Sequence, residues 1–161
     1  MSGFRIGQAV DVHALAEGRP LVLGGLEIPH DKGLAGHSDG DALLHAVASA
    51  LLGALGDGDL GTHFPSSDPS LEGIASRVLV ERVMQRVSDA GFAIANVDST
   101  VVAQEPRLGP HLEKLRASLA DVLGAGRHRV NVKVTSTDHL GFLGRGEGIA
   151  AMAVVLLEAR S

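Results

Sequence analysis

With 161 residues, of which 45 % are hydrophobic and 20 % charged, the chain has the length and composition of one globular domain with a buried core. A net charge of −5, four Phe and no Trp or Tyr argue against a nucleic-acid-binding protein, because such proteins need basic and aromatic surfaces. The absence of Cys excludes disulfides, thiolate metal sites and thiol nucleophiles. No apolar run approaches the roughly 20 residues that span a bilayer, and the first residues lack a signal-peptide pattern, so we expect a cytoplasmic protein without a membrane partner.

The hydrophobic pattern predicts alternating strands and helices. In chain order it predicts a strand over 4–15, a hairpin over 20–29, a polar loop over 30–41, a helix over 42–55 and a long loop over 56–73. It then predicts a helix over 74–91, a strand over 92–104, a helix over 110–124 and strands over 128–136 and 148–159. This order favours a two-layer α/β protein in which a mixed β-sheet packs against helices. With no linker or repeat, residues 1–161 are expected to form one domain.

The segment VDVHALAEG at 10–18 places Asp11 and His13 two residues apart in the first predicted strand. Side chains at i and i+2 lie on one face of a strand, so the two are neighbours, and Val12 is expected to point the other way, into the core. A carboxylate and an imidazole are both ligands that zinc takes. An ordinary hydrogen-bonded pair on a strand surface explains this D-x-H pattern as well.

The segment GHSDGDALLHA at 36–46 contains a third candidate ligand. Ser38 and Asp41 match the capping-box pattern, which predicts a helix that starts at Ser38 or the next residue and carries His45 among Ala, Leu and Val. A His on such an apolar face is often a hydrogen-bonded core residue, although a metal would also satisfy its ring nitrogens. A catalytic metal centre with an open fourth position would be held by three ligands: Asp11, His13 and His45.

Other polar residues suggest contacts to a charged substrate. His37 directly precedes the predicted helix, and helix N-termini attract anions, so His37 could donate a hydrogen bond to a phosphate. Asp59 and Asp68 lie in the long loop, where they could bind a cation or substrate hydroxyls, or act as turn residues. These alternatives stay open on the sequence pattern.

Two further segments suit a nucleotide diphosphate. Residues 103–111, bent by two prolines, offer free main-chain groups to a base edge. Residues 135–148 combine hydroxyl side chains, glycines and Arg145, which suit a phosphate, with Asp138, which suits a hard cation. Together they predict a diphosphate site with a metal.

Four motifs occur together in this chain: D-x-H, G-H-S-D-G-D-x-x-x-H, G-D-x-G-x-x-F-P and G-R-G-E-G. They belong to the stretches DVHALAEGRPLVLGGLEIPHDKGLAGHSDGDALLHA, GDLGTHFPSSDP and TSTDHLGFLGRGEGIA. The chain thereby resembles the 2-C-methyl-D-erythritol 2,4-cyclodiphosphate synthase family of the non-mevalonate isoprenoid pathway, essentially from end to end. The resemblance implies a homotrimer whose sheets face a central cavity and whose active sites lie between adjacent subunits.

The resemblance also implies roles for single residues. It implies one Zn²⁺ per active site, held by Asp11, His13 and His45, and a second cation, Mg²⁺ or Mn²⁺, held by Asp138, where the family has Glu. Catalysis is implied for His37 and Ser136, which keeps the hydroxyl of the family's T-T-T-E segment. The family's glycine and aromatic residue before D-x-H line the central cavity, a possible site for an isoprenoid diphosphate, and are here Ala9 and Val10.

The resemblance further implies two groups of substrate contacts. The first group surrounds the metal and comprises Asp11, His13, His37, Ser38, Asp59, Leu60, Gly61, Phe64, Pro65, Ser66, Ser67 and Asp68. The second group forms a cytidine pocket and comprises Ala103, Gln104, Glu105, Pro106, Arg107, Leu108, Gly109, Thr135, Ser136, Thr137 and Asp138, with Phe142 and Arg145 nearby.

The implied reaction is intramolecular phosphoryl transfer, in which 4-diphosphocytidyl-2-C-methyl-D-erythritol 2-phosphate yields a cyclic diphosphate and CMP. This reaction needs no protein nucleophile, which agrees with a chain without Cys. A metal-dependent hydrolase of nucleotide diphosphates would use the same three ligands but release a linear product. A non-catalytic module that binds cytidine nucleotides is the remaining alternative.

Overall fold

The structure, a computed structural model, describes residues 3–160. Within them lie seven strands: β1 (Phe4–Glu17), β2 (Leu21–Leu23), β3 (Leu26–Ile28), β4 (Lys32–Leu34), β5 (Phe92–Val102), β6 (Val130–Thr135) and β7 (Gly148–Ala159). The same residues contain five α-helices: α1 (Ala42–Leu55), α2 (Leu60–His63), α3 (Ser76–Asp89), α4 (Leu112–Leu123) and α5 (Gly141–Gly144).

Five of the strands form one mixed sheet in the order β4-β1-β7-β5-β6, and β2 and β3 form a separate hairpin. The strand pairs are antiparallel except β5 and β6, which run parallel because α4 lies in the connection between them. Helices α1, α3 and α4 cover one face of this sheet, and their apolar side chains form the core with those of the strands. The predicted mixed sheet packed against helices is confirmed.

The opposite face of the sheet is open and apolar along β1 and β7. Its exposed large side chains are Phe4, Ile6, Val10, Val12, Met152 and Val154. The prediction that Val12 points into the core is wrong, since Val12 is 45 % exposed. The helices pack on the face that carries Asp11 and His13, so strand alternation leaves Val12 on the open face. Alternation also separates Val10, on the open face, from Ala9, which packs against the core.

Helix α1 spans Ala42–Leu55, as the hydrophobic pattern predicts, whereas the start at Ser38 or the next residue that the capping-box pattern predicts is wrong. Its N-cap is Asp41, whose side chain accepts a hydrogen bond from the N–H of Leu44. Gly40 explains why the helix does not extend further back. Its φ of +75° is left-handed, and a Cβ at this position would lie 2.3 Å from a main-chain oxygen of β4.

The carboxylate of Asp41 also connects α1 to the hairpin. It is fully buried and accepts hydrogen bonds from the N–H groups of Gly24 and Gly25 at the hairpin turn, at 2.9 and 2.7 Å. Burial raises the pKa of Asp41 to about 6, although the N–H donors, which favour the charged form, oppose this rise. The start of α1 and the β2–β3 turn are therefore held by one side chain.

The other predicted elements are present, and their ends differ from the prediction by at most two residues. The predicted loop over 30–41 contains β4, which pairs with the end of β1. The predicted loop over 56–73 contains α2 and a 3-10 turn at Pro69–Leu71. Such short elements contain only three or four residues, too few for a hydrophobic repeat to be recognised, so the sequence pattern does not reveal them.

Helix α1 lies very close to β1 at Gly7. A Cβ at this position would lie 1.9 Å from the main-chain oxygen of Ala50, so only glycine fits here. The helix runs antiparallel to the strand, because Arg5, near the start of β1, donates a hydrogen bond to the carbonyl of Leu55 at the end of α1. The start of α1 therefore lies beside the middle and end of β1.

We expect Gly7→Ala to lower the free energy of unfolding by about 3 kcal/mol or more, because the new methyl group would force β1 and α1 apart. Gly53→Ala is the matched control, since its Cβ would lie 4.0 Å from its nearest neighbour, the Cα of Gly7, and should be neutral or stabilise by about 0.4–1 kcal/mol. Urea unfolding followed by circular dichroism measures both. Equal stability of the two variants would contradict the close approach.

Candidate metal centre and substrate pocket

Asp11 and His13 on β1 meet His45 on α1. Strand alternation places the first two side chains on the face that α1 covers, and His45 lies one turn after the start of the helix. Oδ2 of Asp11 lies 2.7 Å from Nε2 of His13 and 3.3 Å from Nδ1 of His45. The two ring nitrogens are 3.1 Å apart. Three potential ligand atoms therefore converge on one point.

A hydrogen bond on the outer side of His13 determines which ring nitrogen faces this point. Nδ1 of His13 lies 2.5 Å from the carbonyl oxygen of Ala35, which can only accept, so Nδ1 carries a hydrogen. In the neutral ring, Nε2 then directs a lone pair toward Asp11. Oδ2 of Asp11 is buried and has no hydrogen-bond partner among residues 3–160. A buried acceptor that faces another acceptor requires a positive charge between them.

The ionisation of the cluster agrees with this requirement. Burial acts to raise the pKa of Asp11, but the charged forms of His13 and His45, which would donate hydrogen bonds to this carboxylate, outweigh burial and hold the pKa well below the usual range of a carboxyl. Donation from a protonated Nε2 of His13 to Asp11 likewise raises the pKa of His13, against the effect of burial. A positive charge, either a ring proton or a metal ion, therefore stabilises the cluster.

The three atoms have the spacing of metal ligands. Bonds of about 2.0–2.2 Å to a tetrahedral zinc ion place ligand atoms about 3.3 Å apart, against 2.7, 3.1 and 3.3 Å here. Two imidazoles and one carboxylate are a ligand set that zinc accepts, and they leave a fourth position free. The residues present fit a metal ion.

The three side chains line a pocket of about 470 Å³. Other residues predicted to contact the substrate line the same pocket: His37, Ser38, Asp59, Leu60, Gly61, Phe64 and Ser66. Three predicted residues are not part of its lining: Pro65, Ser67 and Asp68. The structure thus brings most of the first predicted group of contacts around the three ligands.

His37 reaches this pocket from a loop, not from a helix N-terminus. The prediction that it directly precedes the helix is wrong, because α1 begins only at Ala42. Its Nε2–H donates a hydrogen bond to the carbonyl of Asp68 at 3.1 Å, and its own carbonyl accepts one from Gly73 at 2.7 Å. The loop over 65–73 therefore holds His37, and Nδ1 is the ring atom left for a ligand.

Asp59 and Asp68 each cap a short helical turn. Oδ1 of Asp59 accepts hydrogen bonds from the N–H and hydroxyl of Thr62, and Oδ1 of Asp68 accepts them from those of Ser70. These bonds lower the pKa of both carboxyls. Both residues thus have the turn role that the sequence left open, while Oδ2 takes no part in these bonds and remains for a ligand.

A second cavity, of about 760 Å³, lies between the segment after β5 and the end of β6. Most residues of the predicted cytidine pocket line it: Ala103, Gln104, Glu105, Pro106, Arg107, Leu108, Gly109, Thr135 and Ser136. Four predicted residues are not part of its lining: Thr137, Asp138, Phe142 and Arg145. The second predicted group thus splits between the cavity and the segment that follows β6.

The segment after β6 has an unusual backbone. Asp138 and His139 both have positive φ angles, 51° and 65°, which are uncommon for residues other than glycine. The N–H of His139 donates a hydrogen bond to the side chain of Gln104 at 3.0 Å, so this turn is tied to the wall of the second cavity. Arg145 forms an ion pair with Glu147 at 3.0 Å.

Comparison with known proteins assigns a family to this chain. The model of the YgbB family matches residues 4–158. A relative from Laribacter hongkongensis, named 2-C-methyl-D-erythritol 2,4-cyclodiphosphate synthase, is 60 % identical over 156 residues, which cover 97 % of this chain and 96 % of the relative. The chain belongs to the YgbB family. The family that the motifs predicted is confirmed, and the chain is an enzyme, a lyase of the non-mevalonate isoprenoid pathway.

Solved structures of YgbB relatives have the same fold. The bifunctional IspDF from Campylobacter jejuni matches with a TM-score of 0.94 and 38 % identity, over 99 % of this chain and 43 % of that longer chain. A CDP complex of IspF from Plasmodium falciparum matches with a TM-score of 0.87 and 30 % identity, over 100 % of this chain and 99 % of that one. Among residues 3–160, no helix is long and apolar enough to cross a membrane.

The sequence did not single out two residues that shape this YgbB site. Arg19 donates hydrogen bonds to the carbonyls of Gly36 and Ser38, at 3.2 and 2.7 Å, and so holds the backbone on both sides of His37. Its partners are main-chain atoms, which leave no sequence signal. Ser49 lines the metal pocket one turn after His45, and this i+4 spacing could have revealed it.

We expect His45→Ala and Asp11→Ala each to lose the bound metal, because two ligands cannot hold it against a chelator. Loss of a hydrogen bond to a metal ligand typically lowers metal affinity by about 10–100-fold. Loss of a ligand itself should lower the metal affinity further. Elemental analysis after dialysis against a chelator measures metal content. His63→Ala, which removes a ring that is not part of the cluster, is the control. Full metal content in either ligand variant would refute the assignment.

Proposed function

We propose that this chain converts 4-diphosphocytidyl-2-C-methyl-D-erythritol 2-phosphate to 2-C-methyl-D-erythritol 2,4-cyclodiphosphate and CMP. The observation that carries this proposal is the convergence of Asp11, His13 and His45 at a pocket in a chain of the YgbB family. The names of the curated relatives support the reaction, and the CDP bound to a relative of the same fold supports a cytidine-nucleotide substrate.

The reaction is an intramolecular displacement at phosphorus. An oxygen of the 2-phosphate attacks the β-phosphorus and forms a new P–O bond. The bond from the β-phosphorus to the oxygen bridging to the α-phosphate breaks, and CMP leaves with the electron pair. Because nucleophile and leaving group both belong to the substrate, the protein contributes position and charge stabilisation.

In this proposal Asp11, His13 and His45 hold Zn²⁺, and Asp138 contacts a second cation, Mg²⁺ or Mn²⁺, that arrives with the substrate. These cations supply Lewis-acid stabilisation for phosphate groups that otherwise repel each other. The set of two imidazoles and a carboxylate supports zinc at the first site, and the lone hard carboxylate supports magnesium or manganese at the second.

The catalytic donors are His37 and Ser136. His37 is held by the hydrogen bond from its Nε2–H to the carbonyl of Asp68, so the imidazolium form can donate its Nδ1–H to a phosphate oxygen in the metal pocket. Oγ of Ser136 accepts a hydrogen bond from the N–H of Asp138 at 3.3 Å, which leaves its own hydrogen free to donate. Both act on charge that develops at the transferred phosphorus.

The remaining substrate contacts follow the two cavities. Around the metal pocket they are Ser38, Asp59, Leu60, Gly61, Phe64, Pro65, Ser66, Ser67 and Asp68. The cytidine contacts are the residues from Ala103 to Gly109 and from Thr135 to Asp138, with Phe142 and Arg145 nearby. The support for this division is that the linings of the two cavities share no residue.

We also propose that the enzyme is a homotrimer with active sites between subunits. Asp11 pairs across the sheet through Ala151 and Val101 to Val134, so three strand spacings, about 14 Å, separate the metal cluster from the cytidine cavity of the same chain. A neighbouring subunit can bring its own cavity closer. The apolar open face of β1 and β7, which would surround a central cavity, also supports assembly.

Three further features belong to this proposal. Residues 1–161 form the single catalytic domain. The enzyme acts in the cytoplasm and needs neither nucleic acid nor membrane. An isoprenoid diphosphate can occupy the central cavity, where Val10 of each subunit would contact its apolar chain.

Phosphorus NMR of the protein with substrate, Zn²⁺ and Mg²⁺ tests the reaction. We expect the signals of CMP and of a cyclic diphosphate to appear together. CMP with only linear phosphates would contradict the synthase reaction and indicate a nucleotide-diphosphate hydrolase. Bound zinc without turnover would indicate a non-catalytic module that binds cytidine nucleotides.

We expect Ser136→Ala to lower kcat by about 10²-fold with little change in KM, because the hydroxyl is used mainly in the transition state. Steady-state kinetics with the cytidine substrate measures both constants. Ser136→Thr keeps the hydroxyl and should retain most of the activity. An unchanged kcat in Ser136→Ala would remove this residue from the mechanism.

We expect Val154→Lys to dissociate the trimer, because it places charges on the apolar face of β7 that the subunits would bury. Light scattering coupled to size exclusion should give three times the mass of one chain for the wild type and Val154→Ile, and a lower mass for Val154→Lys. Turnover should fall with dissociation while zinc stays bound. A trimeric Val154→Lys would contradict this interface.

A further inference from the structure

Behind the metal cluster lies a second set of polar groups that the proposed reaction does not use. Nε2 of His45, the nitrogen that faces away from the cluster, lies 2.8 Å from Oγ of Ser76, the first residue of α3. Ser76 is fully buried, and its hydroxyl donates a hydrogen bond to Oδ1 of Asp39. Oδ2 of Asp39 accepts the N–H of Ser76 at 3.0 Å. A continuous chain of hydrogen bonds thus runs from Asp39 through Ser76 to His45.

The carboxylate of Asp39 determines the direction of every hydrogen bond in this series. A carboxylate only accepts, so the Ser76 hydroxyl must give its hydrogen to Asp39. The oxygen of Ser76 is then left with lone pairs and acts as acceptor toward His45. Nε2 of His45 therefore carries the ring hydrogen, and Nδ1 presents its lone pair to Asp11 and His13.

We propose that Asp39 and Ser76 are positioning residues that hold His45 in the tautomer able to bind the metal through Nδ1. This proposal rests on the metal site of the proposed function, but not on the reaction catalysed there. It assigns to the Asp39 side chain two tasks, since the same carboxylate holds the first residue of α3 and sets the direction of the hydrogen bond to His45.

Ser38 alone would not fix this tautomer. Its hydroxyl lies 3.0 Å from Nε2 of His45. Among residues 3–160, however, this hydroxyl forms no hydrogen bond with a carboxylate. A hydroxyl without such a partner can turn and either donate or accept. The carboxylate of Asp39 is what makes Ser76 an obligatory acceptor.

The unmodified protein provides the first test. In metal-free protein at a pH where His45 is neutral, ¹⁵N NMR of the imidazole distinguishes the two tautomers. We expect hydrogen on Nε2 of His45. Hydrogen mainly on Nδ1 would overturn the proposal without any substitution, so the test does not depend on whether a variant folds.

Two variants provide the second test. Ser76→Ala removes the acceptor, and Asp39→Asn replaces one acceptor oxygen by an NH₂ group, which lets the Ser76 hydroxyl donate to His45 instead. We expect both variants to lower zinc affinity by about 10–100-fold, which is the usual effect of removing a hydrogen-bond partner of a metal-ligating histidine. Asp39→Asn should also increase the population with hydrogen on Nδ1.

Ser99→Ala is the matched control, since Ser99 is equally buried and its hydroxyl donates to the carbonyl of Asn131, away from the cluster. Competition with a chelator gives each zinc affinity, and thermal unfolding gives each stability. Loss of stability in all three variants with unchanged zinc affinity would overturn the positioning role. Because no substrate is present, a failure of the cyclisation reaction in the phosphorus NMR experiment would leave this result unaffected.

Discussion

The close contact between α1 and β1 is the constraint on which the functional site depends. Gly7 lets the backbone of the helix lie against the strand at Ala50, and the antiparallel course of the two elements then carries the start of α1 toward the end of β1. His45 meets Asp11 and His13 only because of this approach. A side chain at Gly7 would push apart the two elements that hold the three ligands, so packing in the second half of the helix affects the site near its start.

The polar groups around the cluster are directional. The carbonyl of Ala35 on one side and the Asp39–Ser76 pair on the other accept the outer ring hydrogens of the two histidines. Both rings therefore direct lone pairs inward, at an Asp11 oxygen that is itself buried. The fold creates a place where a cation is the stable occupant, because three acceptors that face one another cannot satisfy one another.

Strand β1 divides its side chains between two tasks. Its odd-numbered residues face the helices and include Gly7, Asp11 and His13, whereas its even-numbered residues form part of the open apolar face. A slip of one residue in the pairing with β7 would exchange the two sets and destroy both surfaces. The eleven-residue pairing of β1 with β7, from Phe4 to Ala14, therefore fixes the position of the site residues as well as the register of the sheet.

The sequence by itself determined the main elements, the mixed sheet with helices, the family and the three candidate ligands, because periodicity and motif spacing are local properties of the chain. Only the tertiary structure decided that Val12 faces outward, that Asp41 and not Ser38 caps α1, and that Arg19 holds the loop of His37. Strand alternation shows which side chains share a face, but not which face the helices cover. A hydrogen bond to a main-chain carbonyl, or a glycine held against a distant helix, depends on atoms far away in the sequence, which no local pattern records.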